Sequence, residues 1–445
     1  MVNKKIHQTK QAIVFFSLLF TVVKVKGQQG DTTREDQFSF HSQTTVITQY
    51  KPAFHARYTG SNSLLPSEET QTSITSTLYA GGRLWKGASV FINPEISGGA
   101  GLSSVFGVAD APNGETFRVG STEPKIYLAR LFFHQLFALN KNTSYQLTDL
   151  NQLAGKQPTD YFAITIGKVG MADYFDDNAY SHDPRTQFMS WGLMSNGAWD
   201  YPANTRGYTP SVVLEYVTPK YEWRYAMSLM PLLANGNDMD WKINKASSHS
   251  LEYTRHYSLK GQNGTIRILT FFSTAHMGNY NQSIALYPDT PDIIATRKYG
   301  NTKYGFGISA DQSLTKDAGV FFRASWNDGN NETWAFAEID NSVSGGVSLL
   351  GNKWKRPSDN IGLAYVSSGI SKQHRDYLKL GGKGFMLGDG NLNYSLEQLV
   401  ELYYSAALGK NNIHLTGVYQ FLLNPGYNKD RGPVNIFSIR VHVTI

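Results

Sequence analysis

Six charged side chains stand singly inside stretches that otherwise alternate apolar and polar residues: Arg130, Glu222, Arg224, Arg323, Glu401 and Arg440. A guanidinium presents several N–H donors in fixed geometry, and a carboxylate presents only acceptors. Such groups can replace part of the hydration of a neutral polyhydroxylated solute, and no bond need break. They can equally brace a wall as ion pairs, and the pattern leaves both roles open. Trp199 and Tyr201 lie in a polar, loop-rich stretch, where an aromatic face can stack on a sugar ring. These residues are far apart in the chain, so a joint role needs a fold that gathers distant segments around one opening.

Patterns that would do covalent chemistry do not occur. The chain has no His-Glu-x-x-His, no Walker loop and no Gly-x-Ser-x-Gly. Gly381-Gly382-Lys383-Gly384 lacks the spacing and the following Ser or Thr of a phosphate loop, and its glycines are read as easing a bend. Asp173, Asp176, Asp177, Asn178 and Asp183 are oxygen donors suited to Ca²⁺, but their spacing is not that of an EF-hand. They are read as a solvated surface loop. No cofactor and no resident metal is expected.

The elements that must position the six charges are strands. In Tyr221–Leu229, Tyr221, Trp223, Tyr225, Met227 and Leu229 alternate with Glu222, Arg224, Ala226 and Ser228. A strand sends these two sets to opposite faces. The same alternation surrounds Arg130 (Tyr127, Ala129, Leu131, Phe133), Arg323 (Val320, Phe322, Ala324, Trp326) and Glu401 (Val400, Leu402, Tyr404). It also surrounds Arg440 (Phe437, Ile439, Val441). Turn signals punctuate it at Thr218-Pro219-Lys220, Lys260–Gly264, Thr315–Asp317 and Gly409–Asn412. Alternation over some 400 residues without a linker or blade repeat exceeds a single sandwich and argues against a propeller. With roughly 9 to 11 residues per spanning strand, the chain predicts an all-β transmembrane antiparallel barrel of about 16 strands, with 18 possible. A barrel of that size encloses an aqueous lumen.

Composition supports export and membrane insertion. Lys4, Lys5 and Lys10 precede an apolar run from Ala12 to Val23, a secretory leader expected to end near Gly27. Without the five leader lysines, 36 basic residues face 35 acidic ones, so the pI near 9 carries no nucleic-acid signal. Cysteine is absent, Tyr (26), Phe (24) and Gly (41) are abundant, and only 17% of residues are charged. The organisation expected is a signal peptide (1–27), a polar N-terminal segment (28–43) and a barrel (44–445).

Further stretches carry a family resemblance. Gly388-Asp389-Gly390, Asn393-Tyr394, Glu397, Glu401–Tyr404, Tyr419-Gln420, Asn424-Pro425-Gly426, Gly432-Pro433 and Ile439-Arg440 follow one another near the C-terminus. Ile166–Lys168, Asp173, Phe175–Asn178, Asp183, Gln187-Phe188, Asn204–Gly207 and Tyr127–Arg130 precede them. In this order they resemble the carbohydrate-selective porin family of bacterial outer membranes. The resemblance implies a 16-stranded barrel that passes glucose and other sugars through a narrowing lined by arginine and glutamate. It maps that narrowing here only onto Arg130, Glu401 and Arg440. The chain departs from the usual aromatic end of such barrels, because its last residue is Ile445. The expected function is a passive, carbohydrate-preferring pore in a Gram-negative outer membrane, without enzymatic activity. Its partners would be small hydrophilic solutes and membrane lipid, not nucleic acid, and it would work as a monomer or homotrimer. The alternatives are a barrel-type lipid hydrolase and a structural or surface-binding barrel.

Overall fold

The structure, a computed structural model, describes residues 35–116, 120–409 and 412–445. The leader Met1–Gly27 lies outside the described residues. Among the described residues eighteen strands form, and sixteen of them close one antiparallel barrel. The first half of the wall comprises β1 (Phe38–Lys51), β2 (Glu69–Trp85), β3 (Ala88–Gly99), β4 (Lys125–Ala138), β7 (Tyr161–Val169), β8 (Thr209–Val217), β9 (Tyr221–Leu229) and β10 (Ser247–Leu259). The second half comprises β11 (Gln262–Ala275), β12 (Asn301–Ser313), β13 (Ala318–Asn327), β14 (Asn341–Gly351), β15 (Arg356–Gly369), β16 (Glu397–Leu408), β17 (Ile413–Leu423) and β18 (Val434–Thr444). The short strands β5 (Thr143–Gln146) and β6 (Gly155–Pro158) pair only with each other. β1 pairs with β18, Thr45 opposite His442, so the sheet has no free edge.

Alternation decides which side chain meets which medium. Phe322 is 48% exposed and Arg323 1%; Leu402 is 40% exposed and Glu401 0%. Trp223, Phe306, Trp326 and Phe437 also point outward, so the apolar face is the outer face and the polar face lines the interior. Ile445 continues the outer face, and its backbone exchanges hydrogen bonds of 2.9 Å with Ser42.

Two expectations on register are corrected. β1 begins at Phe38, inside the segment 28–43 read as a polar stretch preceding the barrel. Phe38 and Phe40 face outward there while Ser39 and Gln43 face the interior, which is why the segment looks polar. In β4 the alternation slips by one residue. Asn93 pairs with Arg130 and Pro94 with Leu128, leaving Ala129 as the extra residue of a bulge. Pro94 has no N–H for the ladder, and a bulge accommodates that gap. Ile126 and Leu128 are therefore the outward residues before the bulge, and Tyr127, read as outward, hydrogen-bonds Glu95 in the interior.

The two rims differ. Most connections at the end carrying Phe38 and Ile445 are two to four residues long, whereas those at the opposite end are much longer. In outer-membrane barrels short turns are periplasmic and long loops extracellular. Among the described residues, no helix is long and apolar enough to cross a membrane.

Candidate functional site

The longest connection, Gly170–Tyr208 between β7 and β8, does not extend away from the rim but packs inside the barrel. Phe175, Phe188, Met189, Leu193, Ala198 and Ala203 are all fully buried. Wall charges hold it. Arg130 grips Asp173 with two parallel bonds, Nε at 2.7 Å and Nη2 at 2.6 Å. Arg323 donates Nε to Asp176 at 2.9 Å, Nη1 to the Leu193 carbonyl at 2.7 Å and Nη2 to the Ser181 carbonyl at 2.5 Å. Arg440 donates to the carbonyls of Pro184 and Gln187 at 2.8 and 2.7 Å. Glu401 accepts the amides of Met189 and Ser190 at 2.7 and 3.0 Å, and Glu252 accepts the Asp176 amide at 2.8 Å. Charge-assisted bonds of this length are the strong class, and they satisfy loop backbone that would otherwise be buried unpaired.

The wall makes room for the loop by being small where the loop comes close. A Cβ at Gly307 would lie 2.6 Å from the amide of Asn196, and one at Gly319 would overlap the ring of Tyr180. Other extracellular connections interlock with it. Glu397 accepts the amides of Ala109 and Asp110 at 3.0 and 2.6 Å. Asp110 in turn accepts Ser190 Oγ and the Gly192 amide, both at 2.7 Å. Asp200 accepts the amides of Trp334 and Ala335. Burial pushes Asp110 and Asp200 up to about 6, although these hydrogen bonds favour the charged forms and Lys303 pulls Asp200 back.

A second set of charges lines the wall from β8 to β12 and pairs within the wall. Arg224 meets Glu215 at 3.1 Å and Glu222 at 2.5 Å, and His256 Nε2 lies 2.7 Å from Glu222. Arg267 meets Asp311 at 2.6 Å. Arg224 and Glu222 keep 17% and 12% of their side chains exposed, whereas Arg323 keeps 2%. At the periplasmic mouth, a cavity of about 310 Å³ opens between the loop (Tyr180, Gln187) and the strand ends at Gln262, Asn263, Lys316 and Asn360.

All six charged residues named from the sequence face the interior, but in two groups. Arg130, Arg323, Glu401 and Arg440 are buried against the folded-in loop; Glu222 and Arg224 belong to the self-paired wall. The acidic stretch Asp173–Asp183, read as a solvated surface loop, is instead largely enclosed. Asp173 and Asp176 neutralise wall arginines, and no group of metal-ligating side chains forms among the described residues. Trp199 and Tyr201 are 5% and 4% exposed and meet edge to face, with ring centroids 4.9 Å apart. Trp191, Phe175 and Phe336 surround them, and the space beside them is about 10 Å³, about one water's worth. They lie in the loop as read, but they are buried, because the loop itself lies in the barrel. The residues that alternation could have found but did not are Glu215, Glu252 and Glu397, each inward on its strand. Arg185, buried in the loop against Glu115 at 2.9 Å, has no sequence signature.

The chain resembles known proteins in fold and sequence. A profile described as carbohydrate-selective porin, OprB family, matches residues 61–445. The high-pH structure of Pseudomonas putida OprB superposes with a TM-score of 0.68 at 15% identity, covering 92% of this chain and 94% of that one. The outer membrane channel DcaP of Acinetobacter baumannii superposes with a TM-score of 0.51 at 9% identity, covering 94% and 99%. No curated protein matches the sequence.

Proposed function

The chain belongs to the carbohydrate-selective porin, OprB family, an outer-membrane channel for passive diffusion of small hydrophilic solutes, and we propose how its interior favours sugars. The observation that carries the proposal is the division of the interior charges into two groups. Arg130, Arg323, Glu401 and Arg440 set the width of the passage by fixing the loop Gly170–Tyr208 against the wall. Trp199 and Tyr201 act through the stiffness of that loop. Glu222 and Arg224, with Glu215 and His256, form the polar track along which solute hydroxyls exchange hydrogen bonds. A cation and carboxylates stand side by side there, so a neutral sugar meets donors and acceptors together. Binding must stay weak for the solute to leave.

A single chain closes its own barrel, so each copy is a pore whether it works alone or as a homotrimer. No catalytic step is assigned. Purified protein in planar bilayers tests the reading. Discrete conductance steps, reduced by glucose or short glucose oligomers, are expected. Steps indifferent to every neutral sugar would overturn the sugar preference, and absence of steps would overturn the channel.

A further inference from the structure

The periplasmic connection between β4 and β7 breaks the pattern of its rim. Residues 139–160 intervene where the other connections have two to four, and they build the β5–β6 hairpin. A hairpin hanging free would be solvated on all sides. This one packs the β6 side of its tip against the wall, with Leu153 and Ala154 5% and 6% exposed, while Leu147 and Leu150 stay 62% and 37% exposed. Leu153 joins the cluster containing Phe91 and Phe132, inward residues of β3 and β4 whose rings stack at 5.2 Å. The tip is tied to four separate places. Asn93 Nδ2, inside the wall, donates to Asn151 Oδ1 at 2.8 Å. His41 Nε2 lies 2.8 Å from Thr148 Oγ1. Arg83 Nη2 donates to the Ala154 carbonyl at 3.2 Å, and the Asp36 amide donates to the same oxygen at 3.0 Å. Asn151 adopts φ +53, a left-handed conformation that asparagine tolerates, so the tip turns sharply just where its amide meets Asn93.

The hairpin thus covers the β1–β4 side of the periplasmic mouth, while the cavity of about 310 Å³ stays open on the β11–β15 side. Its contact groups are amides, a hydroxyl and an imidazole, with one guanidinium, Arg83, that is spent on the Asp36 and Ala154 carbonyls, whereas the wall of β8–β12 is lined by charges. Neutral donors and acceptors serve sugar hydroxyls and give an ion little in return for its hydration.

We propose that this hairpin is a fixed sieve at the periplasmic exit, with Asn151 and Thr148 as specificity-determining residues for neutral sugars. The proposal rests on the channel reading above. Ties to four places at once argue for a rigid obstruction rather than a swinging lid, because ordering a free hairpin tip costs backbone entropy that these contacts offset.

The chain has no cysteine, so single cysteines can be read without background. A charged thiol reagent on Asn151→Cys should lower single-channel current by about half, more slowly when sugar is present, whereas Thr143→Cys on the outer arm should not respond. Replacing Leu139–Asp160 with a two-residue turn should raise conductance about two-fold and admit longer oligosaccharides in liposome swelling. If that variant does not assemble, Asn151→Ala with Thr148→Ala should still weaken sugar block about three-fold at unchanged melting temperature. Unchanged current on modifying Asn151→Cys, together with unchanged sugar block in the double variant, would overturn the sieve. A wild-type protein without conductance would instead overturn the channel reading.

Discussion

Arg323 and Arg224 occupy equivalent places in the sequence pattern, each a lone cation beside an outward-facing aromatic residue, Phe322 and Trp223. Their surroundings in the barrel differ. Opposite Arg323 stand Ser309 on β12 and Ser344 on β14. These short side chains leave the guanidinium free to reach across to Asp176 and to loop carbonyls. Opposite Arg224 stand Glu215 on β8 and Glu252 on β10, and Glu215 takes its charge within the wall. A strand's own alternation therefore fixes which face a charge lies on. Its cross-strand neighbours fix whether it holds the loop or lines the passage.

The sharpest test of this contrast is Arg323→Ala. It strands the Asp176 carboxylate in a buried site and should cost about 3–5 kcal/mol. Heat-modifiable migration in gels should fall by many degrees, and conductance should become larger and noisier as the loop loosens. Equal destabilisation by Arg224→Ala would collapse the comparison.

Next in size is the outer face. Trp223→Arg places a cation against hydrocarbon and should cost roughly 2–4 kcal/mol near the midplane, whereas Glu222→Ala beside it should leave assembly largely intact. Comparable folded fractions for the two variants, or a reversed order, would mean that the register of β9 is wrong.

For Arg224→Ala, the loss of stability should be clearly smaller than for Arg323→Ala, because Arg224 and Glu222 keep 17% and 12% of their side chains exposed where Arg323 keeps 2%. The effect belongs in the current instead: ion selectivity should shift toward cations and sugar block should weaken, with Arg224→Lys intermediate. A large fall in melting temperature with unaltered selectivity would assign Arg224 to bracing alone.

The last effect concerns pH. Asp110 in the folded state is pushed up to about 6, above the unfolded carboxylate value near 3.9. Its charged form therefore weakens the fold above about pH 6, and that penalty fades as pH falls from about 6 to 4. Asp110→Asn should flatten this part of the stability–pH curve, measured by melting at pH 7.5 and 4.5. An identical pH slope in the variant would remove Asp110 from the account.

Much of the architecture was legible because a barrel wall is a two-faced surface and period two is read directly from residues such as Trp223, Phe322 and Leu402. The strand number followed from length. The failures share a cause in tertiary context. Pro94 shifted β4 by one residue through a bulge in its partner strand, and the polar look of Ser39–Gln43 came from facing the lumen. The carboxylates of Asp173 and Asp176 suggested a wet loop, because nothing local shows that Arg130 and Arg323 await them 43 and 147 residues away. Trp199 and Tyr201 lie in the loop as read, but nothing local shows that the loop itself is buried in the barrel.

The seam between β1 and β18 has a consequence for biogenesis. Thr45 and His442, hydrogen-bonded at 2.8 Å, are 397 residues apart, while most other neighbours in the wall are joined by a turn or a single loop. Local hairpins can zip as they meet the bilayer, but this contact closes a ring of nearly the whole polypeptide and carries the largest loop entropy of any pairing. The sheet before closure is a ribbon with two sticky margins, prone to join another such ribbon. Loop entropy therefore favours closing this seam last, after the local hairpins have paired, and until then both margins stay open to pairing with another chain.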